Sequence, residues 1–147
     1  MNREKFNGIW KGEYIYGDGY PDEVQGRREE FSLHLQFEGH LFKGTCEDCF
    51  TRELFNEPAT VEGDVTTGQI RFIKRYPALL LTDEHGHYSV DRDKPPYEIV
   101  HHGLYTKGFF SRRHSFRGHW EIVQSFVDDE GPYQLICSGE WWFEQVK

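Results

Sequence analysis

F-N-G-I-W-K-G-E-Y-I-Y, from Phe6 to Tyr16, decides the fold. Every second residue along one face is Phe6, Gly8, Trp10, Gly12, Tyr14 and Tyr16, while Asn7, Ile9, Lys11, Glu13 and Ile15 form the other. Such alternation belongs to a strand with one buried and one wetted face. Aromatics spaced by glycines predict a bent strand whose neighbours lay large side chains over each glycine. The pattern returns as F-R-G-H-W-E-I from Phe116 and as S-G-E-W-W-F from Ser138. Together these stretches predict one closed sheet with an aromatic interior.

The remaining chain supplies the other strands. Phe31, Leu33, Leu35 and Phe37 alternate with Ser32, His34 and Gln36, and E-G-H then turns the chain back through Leu41 to Cys46. Residues 59–76 read as a second hairpin around T-T-G, with Ile70, Phe72 and Lys74 on one face. Ala78 to Thr82 forms a short apolar strand, and Tyr97 to Tyr105 a longer one that aligns Ile99, His101, Gly103 and Tyr105. The stretches Phe116–Val127 and Tyr133–Val146 close the chain, whereas residues 17–28 and 47–58 read as loops, the second with a helical turn near Thr51. No helix long enough to cover a sheet is predicted. The expected fold is therefore all-β: a single antiparallel up-and-down β-barrel of about 8–10 strands spanning residues 1–147.

Composition narrows the function. A formal charge of −8 argues against nucleic acid or an anionic membrane as partner. No apolar window approaches the roughly 18 residues of a membrane helix. M-N-R-E-K-F-N-G lacks the apolar stretch of a secretory leader, so a cytoplasmic protein is expected. Three cysteines cannot form a complete disulfide framework. Cys46-x-x-Cys49 has neither a second pair for zinc nor the strand-to-helix setting of a redox motif, and reads as two ordinary thiols.

The Gly8-x-Trp10 of the first strand, with Phe6 before it, resembles the opening strand of the calycins, the lipocalins and intracellular fatty-acid-binding proteins. The resemblance implies a calycin-like barrel in which Trp10 plugs the closed end. It carries no ligand with it. The closing W-W-F-E-Q-V-K lacks the Arg-x-Tyr with which fatty-acid-binding proteins hold a carboxylate. The lipocalins' Thr-Asp pair would fall at Thr82 and Asp83, and their late arginine at Arg112, Arg113 or Arg117.

Function follows from what the barrel interior holds. The aromatic stripe predicts non-covalent binding of a small, apolar or amphipathic molecule, with no cofactor and no metal. Trp10, Tyr14, Phe72, His101, Tyr105, Trp120 and Trp141 are the candidate walls; Lys43 and Lys74, if inward, would neutralise an acid group on the ligand. The alternatives are a small-molecule enzyme with His101 as acid or base, and a filled barrel serving as an interaction module. As a core residue, His101 is expected to bond a tyrosine. His85 and His87 read as solvated loop residues, and the basic run Lys107, Arg112, Arg113, His114 and Arg117 as an exposed loop balancing nearby carboxylates.

Overall fold

The computed structural model describes residues 3–82, 85, 87–107 and 113–146, with the side chains of Thr82 and Phe126 excepted. Eight strands close into an antiparallel barrel: β1 (Gly8–Tyr16), β2 (Arg28–Glu38), β3 (Leu41–Asp48), β4 (Ala59–Thr66), β5 (Gln69–Arg75), β8 (Ile99–Lys107), β9 (His114–Asp128) and β10 (Gly131–Gln145). Each pairs with the next of these eight, and β1 meets β10 to close the ring. Between β5 and β8 the chain makes a separate hairpin, β6 (Leu79–Thr82) with β7 (Tyr88–Asp91). None of the described helices is long and apolar enough to cross a membrane.

Alternation places the core. Trp10, Gly12, Tyr14 and Tyr16 are buried, whereas Ile9 and Lys11 are exposed. Phe6 is also buried, but it belongs to a short helical turn over Glu4–Phe6 and not to β1, a correction to the expected strand start. The turn lets the Trp10 Nε1–H donate to the Phe6 carbonyl at 2.9 Å. The glycines do what the aromatic spacing requires. A Cβ on Gly103 would stand 2.6 Å from the Trp141 ring, and one on Gly139 would stand 2.6 Å from that of Trp120. Each indole therefore lies against bare backbone, which admits two tryptophans to so narrow a barrel.

The β4–β5 turn holds Thr67 at φ 50° and Gly68 at φ 78°. Two positive φ values are the mark of a primed hairpin turn, which favours Asn-Gly. A β-branched residue is strained there. Thr67→Asn is expected to raise stability by about 0.5–1 kcal/mol, read as a higher urea midpoint at unchanged slope. An unchanged or lower midpoint would refute the strain.

β9 and β10 outrun their other partners. Pairing of β9 with β8 stops at Glu121, and pairing of β10 with β1 stops at Gly139, yet the two continue together to Asp128 and Gly131. The result is a two-stranded ribbon rising beyond the barrel rim. The candidate Asp83 and Arg112 lie outside the described residues. Arg113 approaches Glu144 at 3.7 Å, and Arg117 is exposed, so neither covers Trp10.

Candidate functional site

The interior is divided along the barrel axis. Where β1 begins, Trp10 packs against Phe6, Phe116 and Phe143 at centroid distances of 6.1, 5.6 and 5.4 Å. Phe37 and Tyr105 extend this plug, and the Tyr105 hydroxyl bonds His114 Nδ1 at 2.6 Å. One layer up, Trp141 stacks on Phe143 at 4.9 Å, and Phe72 stacks on His101 at 4.2 Å. This half is solid.

The other half holds a cavity of about 420 Å³, within the usual range for small-molecule pockets. Tyr14, Tyr16, Lys74, His101, Trp120 and Cys137 form its floor and sides from the barrel. Tyr20 in the β1–β2 loop, Leu80 on β6, Tyr88 on β7 and Tyr97 just before β8 make the rim. The ribbon closes one side with Gln124 and Leu135.

A buried ionic cluster adjoins the floor. Asp48 ends β3 and is fully buried, and Lys74 on β5 is 5% exposed. Lys74 Nζ donates to Asp48 Oδ2 at 2.8 Å, and the hydroxyls of Tyr76 and Tyr14 donate to the same oxygen at 2.6 and 3.2 Å. Lys74 also donates to the Tyr76 oxygen at 3.0 Å, and its ammonium lies 4.6 and 4.9 Å from the ring centroids of Tyr76 and Tyr14. Asp48 Oδ1 accepts from the Thr51 backbone N–H at 3.0 Å, capping the turn Thr51–Phe55. Burial alone would push the Asp48 carboxyl up. The Lys74 ammonium and the hydrogen bonds from Lys74, Tyr76 and Thr51 outweigh burial and hold it below its ordinary range. Burial likewise opposes the Lys74 charge, and Asp48 outweighs it and holds the ammonium pKa above its ordinary value. Tyr14 and Tyr76 are held protonated chiefly by burial.

His101 does not bond a tyrosine. Its Nδ1 stands 3.0 Å from the carbonyl of Ile99 on its own strand, because the ring lies flat on Phe72 and turns that nitrogen back to the backbone. Burial, then the nearby Lys74, lowers its pKa to about 3. A neutral, weakly basic imidazole is poorly matched to acid–base catalysis at neutral pH.

Of the candidate residues, Tyr14, Lys74, His101 and Trp120 border the cavity. Phe72 and Trp141 lie in the layer beneath it, and Trp10 and Tyr105 belong to the plug. Lys43 is exposed, because its neighbour Phe42 takes the inward position on β3. Asp48 and Tyr76 went unpredicted, though alternation reaches both: Phe42, Cys46 and Asp48 are buried on one face of β3, and Tyr76 follows Phe72 and Lys74. The cysteines are free. Burial pushes the Cys46 thiol up to about 11, and burial with Glu29 pushes Cys49 up to about 12. Among the described residues, no three His, Cys, Asp or Glu side chains converge as metal ligands.

No protein-family model matches the chain, and no curated protein matches it in sequence. Solved structures do resemble it, two of rhizavidin among them. The rhizavidin–biotin complex aligns at a TM-score of 0.50 and 12% identity, over 92% of this chain and 99% of the other. A second structure of rhizavidin aligns at 0.50 and 9% identity, over 93% of this chain and 83% of the other. At such identities the likeness speaks to architecture: the chain has an antiparallel, calycin-type barrel fold.

Proposed function

We propose that this barrel binds a small, largely apolar molecule non-covalently in the cavity at its open end. The observation that carries the reading is the division of the interior. Aromatic side chains pack ring against ring in one half, while in the other half they stand around about 420 Å³ of open volume. A barrel that needed its aromatics only for packing would have no use for that asymmetry. The rhizavidin–biotin complex is consistent with the reading, as a barrel of similar fold that holds a small molecule.

A hydrophobic fluorescent probe is expected to bind the purified protein with a saturable, one-site signal. Trp120 borders the cavity and is 4% exposed. If its truncation removes ~40 Å² of apolar contact, Trp120→Ala weakens the probe by about 1 kcal/mol, or about fivefold. The comparison is made on protein shown to be folded by circular dichroism. Leu104→Ala, at an exposed site on the outer face of β8, should leave the affinity unchanged. Absence of saturable binding by any apolar probe would overturn the reading.

A further inference from the structure

We infer that the cavity selects an uncharged, flat molecule that donates a hydrogen bond, with the His101 imidazole as its acceptor; this deepens the binding reading above and rests on it. Charge comes first. Among the described residues, Lys74 is the only Lys, Arg, Asp or Glu side chain bordering the cavity. Its ammonium is already committed to Asp48 at 2.8 Å and to the Tyr76 oxygen at 3.0 Å. Asp48 in turn accepts three donors on one oxygen and the Thr51 N–H on the other. The cluster is neutral as a whole and closed upon itself. A carboxylate entering the cavity would have to compete with Asp48, and an ammonium would meet Lys74 with no free carboxylate among the described lining residues to pair. Either ion would lose its hydration without gaining a counter-charge, which is costly.

Hydrogen bonding sets the polarity of the uncharged ligand. A carbonyl 3.0 Å from Nδ1 requires that this nitrogen carry the proton. Nε2 is then left with a lone pair, and no partner for it stands among the described residues. The same direction holds at Tyr14 and Tyr76, whose O–H groups are spent on Asp48 and whose oxygens retain only acceptor capacity. A ligand must therefore donate to this side of the cavity. The buried Tyr88 hydroxyl has no hydrogen-bond partner among the described residues, so it adds a second uncharged polar group. Flatness follows from the walls. Tyr16, Tyr20 and Trp120 meet edge to face at 4.9–6.0 Å, an arrangement that planar rings extend more readily than bulky aliphatic groups.

The test is isothermal titration of the intact protein at pH 7 with four probes of one shape: naphthol, methoxynaphthalene, naphthoate and naphthylmethylammonium. Naphthol is expected to bind at one site, at least about tenfold more tightly than either ion. Methylation of its oxygen removes the donor and should weaken binding by about fivefold. In His101→Phe, which keeps a ring on Phe72, the advantage of naphthol over methoxynaphthalene should vanish. Naphthoate or the ammonium binding as tightly as naphthol would overturn the inference while leaving the binding reading intact. Equal affinities for naphthol and methoxynaphthalene in the wild type would do the same. If none of the four binds saturably, the binding reading fails, and this one fails with it.

Discussion

Asp48→Ala should lower the free energy of unfolding by about 3–5 kcal/mol, whereas Asp48→Leu combined with Lys74→Met should remain within about 1–2 kcal/mol of the wild type. The single change leaves the Lys74 ammonium buried at 5% exposure with hydroxyl company but no counter-charge. It also strips two tyrosine hydroxyls of their acceptor and removes the cap on Thr51. The paired change removes both charges, so the large desolvation cost disappears with the attraction that offset it. Guanidinium melts of the three proteins measure the difference. A single variant within about 1 kcal/mol of wild type would mean that water reaches Lys74 freely, and the cluster would then not be the closed unit described.

Acidification should destabilise the fold well before carboxylates titrate, because of His101. The unfolded chain takes up the histidine proton at an ordinary pKa of 6.5, whereas the folded protein resists it down to about 3. A depressed folded-state pKa means that the stabilising contribution is complete above pH 6.5 and is lost as pH falls towards 3. Over the whole window the loss is on the order of 5 kcal/mol, at ~1.4 kcal/mol per pH unit. Asp48 has the same sign, since its folded pKa is also lowered, but it acts only below the ordinary carboxylate range. His114, lowered by burial, Lys5 and Lys107, adds a same-signed slope that a change at position 101 leaves in place. The difference between wild type and His101→Phe, from denaturant melts at pH 6 and pH 4.5, isolates the buried ring. Equal slopes in the two proteins would show that His101 protonates in the folded state without penalty.

Much of this was legible from alternation alone. Trp10, Leu33, Phe72 and Trp120 fall inward where a period of two puts them, and the closed sheet follows from too many one-faced strands with no helix to cover them. What alternation could not supply was depth along the axis. Trp10 and Trp120 share the same inward pattern, yet one is plug and the other cavity wall, because that distinction depends on which rings meet across strands far apart in sequence. Lys43 and Lys74 looked equivalent for a related reason: each strand's face is fixed only once its neighbours' pairing is known. Asp48 was hidden by its position at the edge of an irregular segment, where the strand pattern ends and a capping role begins. The β6–β7 hairpin could be anticipated only as a short apolar run, since its use as a rim depends on docking over the barrel mouth.

The junction of β1 with β10 also has a meaning in time. It joins the beginning of the sheet to its end, and the Gln145 side chain reaches the Lys5 carbonyl across 140 positions of sequence. Every other seam of the barrel joins consecutive strands, save that of β5 with β8, which spans the β6–β7 hairpin, and each can form as soon as both its strands have left the ribosome. This one must wait for the whole ring, and the loop entropy of closing it is repaid last. Until then Trp10 lacks Phe116 and Phe143, and β1 carries an open hydrogen-bonding edge beside a row of exposed aromatics. The nascent chain is thus most prone to self-association just before its final strand arrives, and the same pairing that completes the barrel ends that exposure.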